Sequence, residues 1–174
     1  MDLAGVSITP EPFRNYRDGD LFAHLFGYIG EVNPAELMSG TYRNYRIGEV
    51  VGKTGLEKSL EPYLKGMDGQ RQIEVNSLGR IIEEVSFRPP EFGSRAVLTI
   101  DYDLQKALEG AFGDHAGAAV VIDPNNGEVL ALISRPAYDP NQPALDSVNR
   151  PNRAVELMYE PGSVIKPLVI ATAL

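Results

Sequence analysis

The spacing of apolar and polar residues divides the chain into short elements separated by Gly, Pro and Asn clusters. Val6-Ser7-Ile8-Thr9 alternates and meets Pro10 and Pro12, the pattern of a short strand entering a turn. Over residues 20 to 29, Leu21, Leu25, Phe26 and Ile29 recur at helical spacing, with His24 among them. Leu56, Leu60, Tyr63 and Leu64 predict a second helix, which Gly66 ends. Residues 71 to 87 predict a hairpin: Gln72-Ile73-Glu74-Val75 alternates, Asn76-Ser77-Leu78-Gly79 supplies a turn, and the return strand offers Ile82, Val85 and Phe87 for burial.

Arg88-Pro89-Pro90 interrupts this pattern. Two prolines remove two backbone donors, so the chain is expected to divide here into residues 1–90 and 91–174. Ala96-Val97-Leu98-Thr99-Ile100 then reads as a strand. Asp101 reads as the N-cap of a helix with Leu104, Leu108, Ala111 and Phe112 on one face and Gly113 as its stop. Residues 118–122 and 128–133 read as two strands of a hairpin, joined by Asp123-Pro124-Asn125-Asn126-Gly127, in a sheet facing a helix on at least one side. Residues 140–153 are loop-like and precede a final apolar helix. The predicted class is α+β: a mostly β first region with short helices, then a hairpin with helices.

Composition narrows the function classes. The 174 residues are 43% hydrophobic, as suits a folded domain, and the formal charge of -8 opposes sequence-independent nucleic-acid binding. The one aromatic-basic cluster, Tyr42-Arg43-Asn44-Tyr45-Arg46, is read as a surface strand or loop. With no cysteine, disulfides and thiolate chemistry are excluded. His24 and His115 have no partner at metal-ligand spacing and are read as packed or surface residues, so no metal or cofactor is expected. No apolar run approaches the ~20 residues that cross a bilayer, and Met1-Asp2-Leu3-Ala4-Gly5 lacks the regions of a signal peptide.

The candidate chemistry lies in Tyr159-Glu160-Pro161-Gly162-Ser163-Val164-Ile165-Lys166-Pro167. Ser163 and Lys166 stand three apart, which on a helix puts a hydroxyl and an amine on one face. Pro161 and Gly162 break the chain upstream, so the helix is expected to begin near Ser163, with the serine oxygen close to the unpaired N–H groups of the first turn. Pro167 is tolerable this near a helix start. Ser-x-x-Lys alone is a weak signal, since most such matches are a serine cap with a solvated lysine.

The surrounding residues carry more. Asn152-Arg153-Ala154, Pro161-Gly162-Ser163-Val164-Ile165-Lys166-Pro167, the run from Gly117 through Asp123-Pro124, Gly127-Glu128-Val129-Leu130-Ala131 and Tyr138-Asp139-Pro140-Asn141 resemble the transpeptidase domain of class B penicillin-binding proteins, the serine D,D-transpeptidases that cross-link peptidoglycan. Ala23-His24-Leu25-Phe26-Gly27-Tyr28-Ile29-Gly30 and Gly52-Lys53-Thr54-Gly55-Leu56-Glu57 are similar to the family's non-catalytic pedestal. The second of these, with Glu74-Val75-Asn76, leans toward the elongation subtype, penicillin-binding protein 2, whereas Asn152-Arg153-Ala154 and Tyr159-Glu160-Pro161-Gly162 lean toward the division enzyme; the elongation subtype is favoured.

The resemblance implies that Ser163 attacks a D-alanyl-D-alanine stem peptide, forms an acyl-enzyme and is acylated by β-lactams. Lys166 could take the serine proton only when neutral. It also implies extracytoplasmic action in a membrane-anchored protein, and partners among wall-synthesis proteins such as a glycosyltransferase polymerase or a scaffold. Lys53-Thr54-Gly55 and Ser147-Val148-Asn149 imitate two further active-site motifs, but both precede Ser163, the reverse of the family order, and are read as turn or cap residues. The family's remaining motifs would follow Leu174, so the chain is expected to start after the anchor, to stop before the active site is complete, and to be inactive alone.

Overall fold

The computed structural model describes residues 14–145 and 148–172; the strand expected at residues 6–9 and Ser147 lie outside the described residues. A 3₁₀ turn, Gly19–Phe22, leads into helix α1, Ala23–Phe26, which stops at Gly27. Gly27 has φ +77°, and a Cβ there would lie 2.1 Å from the Thr54 carbonyl oxygen. The helical spacing read as far as residue 29 therefore ends early, and Ile29 opens strand β1, Ile29–Glu31.

β1 pairs antiparallel with β2, Val50–Gly52. Between them lies α2, Pro34–Met38, whose start is fixed by a capping box: the Asn33 side chain accepts from Glu36 N–H and the Glu36 carboxylate accepts from Asn33 N–H. Val32, Tyr42 and Val51 form the core of this unit, with Leu37 and Tyr45 packed against it. Tyr42 and Tyr45 thus face inward from a surface turn: the Tyr42 hydroxyl donates to Gly52 O and the Tyr45 hydroxyl to Glu61. The helix predicted through Leu56 and Leu64 is two helices, α3, Gly55–Ser59, and α4, Glu61–Leu64. They part at Leu60 because Pro62 has no N–H to continue the ladder and sits in the first turn of α4.

β3, Gln70–Val75, and β4, Ile81–Arg88, form the predicted hairpin. Its turn is closed by Asn76 Oδ1, which accepts from the N–H groups of Leu78 and Arg80, and by Gly79 at φ +75°. Every residue of both strands is exposed, so Ile82, Val85 and Phe87 do not enter a core formed by the described residues.

The strand expected at residues 96–100 does not form. That stretch has no regular structure, and the chain is hydrogen-bonded to the sheet where Asp101 N–H donates to Leu130 O and Thr99 Oγ1 to Val129 O. Asp101 then caps α5, Tyr102–Phe112, by accepting from Leu104 N–H, and a side chain of α5 occupies the next positions along the sheet edge. The second hairpin, β5, Gly117–Ile122, with β6, Val129–Arg135, forms as predicted and carries α5 against β6.

Residue 105 makes that contact. Gln105 is fully buried; its Nε2 donates to Leu132 O and Leu21 O, and its Oε1 accepts from Leu132 N–H. The amide replaces a strand neighbour for β6 and ties it to the chain before α1.

Candidate active site

Pro161 and Gly162, the latter at φ +57°, turn the chain into a 3₁₀ turn, Gly162–Ile165, and Lys166 then opens helix α6, Lys166–Thr172. Lys166 N–H donates to Ser163 O across this turn. With three residues per 3₁₀ turn, positions 163 and 166 lie nearly one above the other. The helical start thus falls one residue before Ser163, at Gly162, with Pro161 as the N-cap residue. Pro167 is in the first turn of α6, where its missing N–H leaves no gap in the ladder. Ser163 and Lys166 are both exposed.

From Val155 to Thr172 every described residue is exposed. The segment is held where it leaves the body. Asn152, 7% exposed, donates from Nδ2 to His24 O and accepts at Oδ1 from Ala154 N–H, while its carbonyl accepts from Val155 and Glu156 N–H. Arg153 N–H donates to the hydroxyl of Ser134, a buried residue of β6, and the Tyr159 hydroxyl returns to Arg153 O.

His24 Nε2 donates to Asn149 O at 2.7 Å, and its ring meets Tyr138 edge-on at 5.1 Å. Burial pushes its pKa below the ordinary value of 6.5. Tyr138 donates to Ala23 O, and burial raises its hydroxyl to about 12. Arg150 donates to the Tyr28 hydroxyl, and Asn141 pairs both ways with the backbone of Tyr16. The stretch around α1 is therefore bonded to the loop that precedes Ser163. These anchors, with Gln105, were not visible to sequence reasoning; Asn152 stood in a motif, and its contact with residue 24 had no local signal.

Lys53-Thr54-Gly55 lies elsewhere in the structure, in a structural role. Lys53 Nζ is 2.6 Å from the Glu36 carboxylate, Thr54 is the N-cap residue of α3, and Gly55 approaches the backbone of Leu25 and Gly27. Among the described residues no group of His, Asp and Glu could hold a metal ion, and no helix is long and apolar enough to cross a membrane.

Two family models match the chain: the penicillin-binding protein dimerisation domain over residues 1–98, and the penicillin-binding protein transpeptidase domain over residues 117–174. Peptidoglycan D,D-transpeptidase MrdA of Acinetobacter baumannii is 37% identical over 94% of this chain and 26% of its own length. Its counterpart from Escherichia coli K12 is 35% identical over 98% of this chain and 30% of its own length. Penicillin-binding protein 2 of Helicobacter pylori, solved in complex with MreC, superposes with a TM-score of 0.72 at 31% identity, covering 88% of this chain and 31% of that one. The Pseudomonas aeruginosa homologue, solved with WCK 5153, gives 0.65 at 34% identity, covering 90% of this chain and 34% of that one. The chain spans less than a third of the length of these curated relatives.

Proposed function

Because the chain belongs to the penicillin-binding protein family, we propose that it carries the nucleophile and the neighbouring lysine of a peptidoglycan D,D-transpeptidase of the elongation type, acting outside the cytoplasm. Ser163 attacks the carbonyl of a D-alanyl-D-alanine stem, its proton passes to a base and from there to the departing amine, and terminal D-alanine leaves. An amine from a second stem then takes the acyl group and restores the hydroxyl. Lys166, one turn along, is the candidate proton acceptor in its neutral form. The turn at Gly162 leaves its first N–H groups without intrahelical acceptors, which suits an oxyanion at Ser163. β-Lactams acylate the same oxygen.

The observation that carries this reading is the Ser163–Lys166 turn inside the 58 residues matched by the transpeptidase model. Ser163 and Lys166 are exposed, and the described residues put no second wall beside them, so the 174-residue chain alone is expected to resist stoichiometric acylation. The test is a chimera in which this chain replaces the matching stretch of the A. baumannii relative. Fluorescent penicillin should label the chimera, and Ser163→Ala should lose the label; labelling of Ser163→Ala would overturn the assignment.

A second reading, an interaction module formed by residues 1–90, rests on the β3–β4 hairpin. Its cross-strand pairs Arg71–Phe87, Ile73–Glu84 and Val75–Ile81 share one exposed face, apolar apart from the Arg71–Glu84 ion pair. The partner would be a wall-synthesis scaffold or glycosyltransferase polymerase. Capture of such a partner by residues 1–90 alone supports this reading, and capture that requires residues 94–174 contradicts it.

A further inference from the structure

We infer that Asn152 is a positioning residue for Ser163: its side chain fixes, against the backbone of α1, the point from which the serine-bearing segment leaves the body. The inference rests on the proposed role of Ser163 and concerns how that serine is placed.

Three observations converge on this residue. First, Asn152 uses both ends of its amide in different directions. Nδ2 donates at 3.2 Å to His24 O, 128 residues away, and Oδ1 accepts at 3.0 Å from Ala154 N–H. One end makes a long-range bond and the other shapes the local turn. Second, the neighbours of Asn152 are bonded to the body on both sides. His24 Nε2 reaches Asn149 O, and Arg153 N–H reaches Ser134 Oγ on β6. Third, burial ends here: Asn152 is buried and Ala154 half-buried, while every described residue from 155 to 172 is exposed. Later contacts, such as the Tyr159 hydroxyl on Arg153 O, return to the same few residues. Whatever sets the direction of the segment toward Ser163 therefore acts through residues 152–154, and Asn152 makes the bond that crosses to α1.

Asparagine suits this position because it alone of the short side chains offers a donor and an acceptor on one planar group. Asn152→Asp keeps an acceptor for Ala154 N–H but replaces the donor with an oxygen facing the His24 carbonyl. It breaks the long-range bond and leaves the turn. Asn152→Ala removes both.

The chain has no cysteine, so spin labels at Lys106→Cys on α5 and Val155→Cys beyond the anchor report one distance. In the full 174-residue chain, Asn152→Asp should broaden that distance distribution about twofold, while near-ultraviolet circular dichroism keeps the parent spectrum. An unchanged width in a folded variant overturns the inference. Should the variants not fold, the parent chain decides: the Arg153 and Ala154 amides should exchange with deuterium at least about tenfold more slowly than those of residues 168–171, after correction for intrinsic rates, and equal protection overturns the inference. In the acylation chimera, Asn152→Asp should lower the second-order acylation rate about tenfold or more with the label still on Ser163. A full rate there overturns the inference, whereas loss of label in Ser163→Ala bears on the nucleophile alone.

Discussion

Gln105 and Leu132 pair through two hydrogen bonds, the glutamine amide donating to the leucine carbonyl at 2.8 Å and accepting from its N–H at 2.9 Å. A helix side chain thus completes the edge of β6 and joins it to α5. Replacing Gln105 with Leu leaves three backbone groups without their side-chain partner: Leu132 N–H, Leu132 O and Leu21 O. At roughly 1–3 kcal/mol for a buried polar group left unpaired, partly offset by added apolar contact, the loss should be about 2–4 kcal/mol. Urea denaturation measures it, and a cost below about 0.5 kcal/mol would remove Gln105 from its structural role.

The capping box of α2 gives a smaller, local effect. Asn33→Ala removes the side-chain acceptor for Glu36 N–H and should cost about 1 kcal/mol, again by denaturation. Glu36 keeps its contact with Lys53, so the rest of the unit should retain its spectrum.

His24 makes the junction sensitive to acid. Its pKa lies below 6.5, chiefly through burial; Arg153 on the preceding loop and Arg135 on β6 act in the same direction, while the Asn149 carbonyl and Glu156 oppose it. The unfolded chain then binds a proton more readily than the folded one, so the contribution of neutral His24 is fully present above pH 6.5 and is lost as the pH falls through the lowered folded value. The urea midpoint should drop between pH 7.5 and pH 5, and the drop should be smaller in His24→Gln. Equal drops in the two proteins would contradict this assignment.

Much of the fold was legible where the signal was local. Asn76 with Gly79, and Asp123 through Gly127, fix their hairpins within a few residues, and Asp101 with Gly113 brackets α5. The turn carrying Ser163 and Lys166 was readable from the flanking Pro161 and Gly162. What could not be read was long-range polar pairing. Gln105 reaches Leu21 across 84 residues, Tyr16 reaches Asn141 across 125, and Asn152 reaches His24 across 128. Polar side chains carry no periodicity that marks them as buried, so these residues look like surface. The strand expected at residues 96–100 failed for a related reason: its apolar residues were visible, but not that Gln105 and Asp101 already occupy the edge of β6.

The misleading Lys-Thr-Gly also has a testable consequence. A Cβ at Gly55 would stand 2.6 Å from Gly27 N and 2.7 Å from Leu25 O, at φ +58°. Gly55→Ala should therefore destabilise the fold by about 2 kcal/mol or more. Lys53→Ala should leave acylation of the chimera within about twofold of the parent, since Lys53 contacts Glu36 and Tyr42 rather than the Ser163 turn. A Lys53→Ala chimera that folds but no longer takes up penicillin would reverse this reading.

The most direct measurement is peptide mass mapping of the chimera after reaction with a β-lactam. One covalent adduct is expected, on the peptide containing Ser163, with Lys166→Ala lowering its rate of formation by about a hundredfold or more. An adduct on any other serine, or an unchanged rate in Lys166→Ala, would contradict the assignment of Ser163 and Lys166.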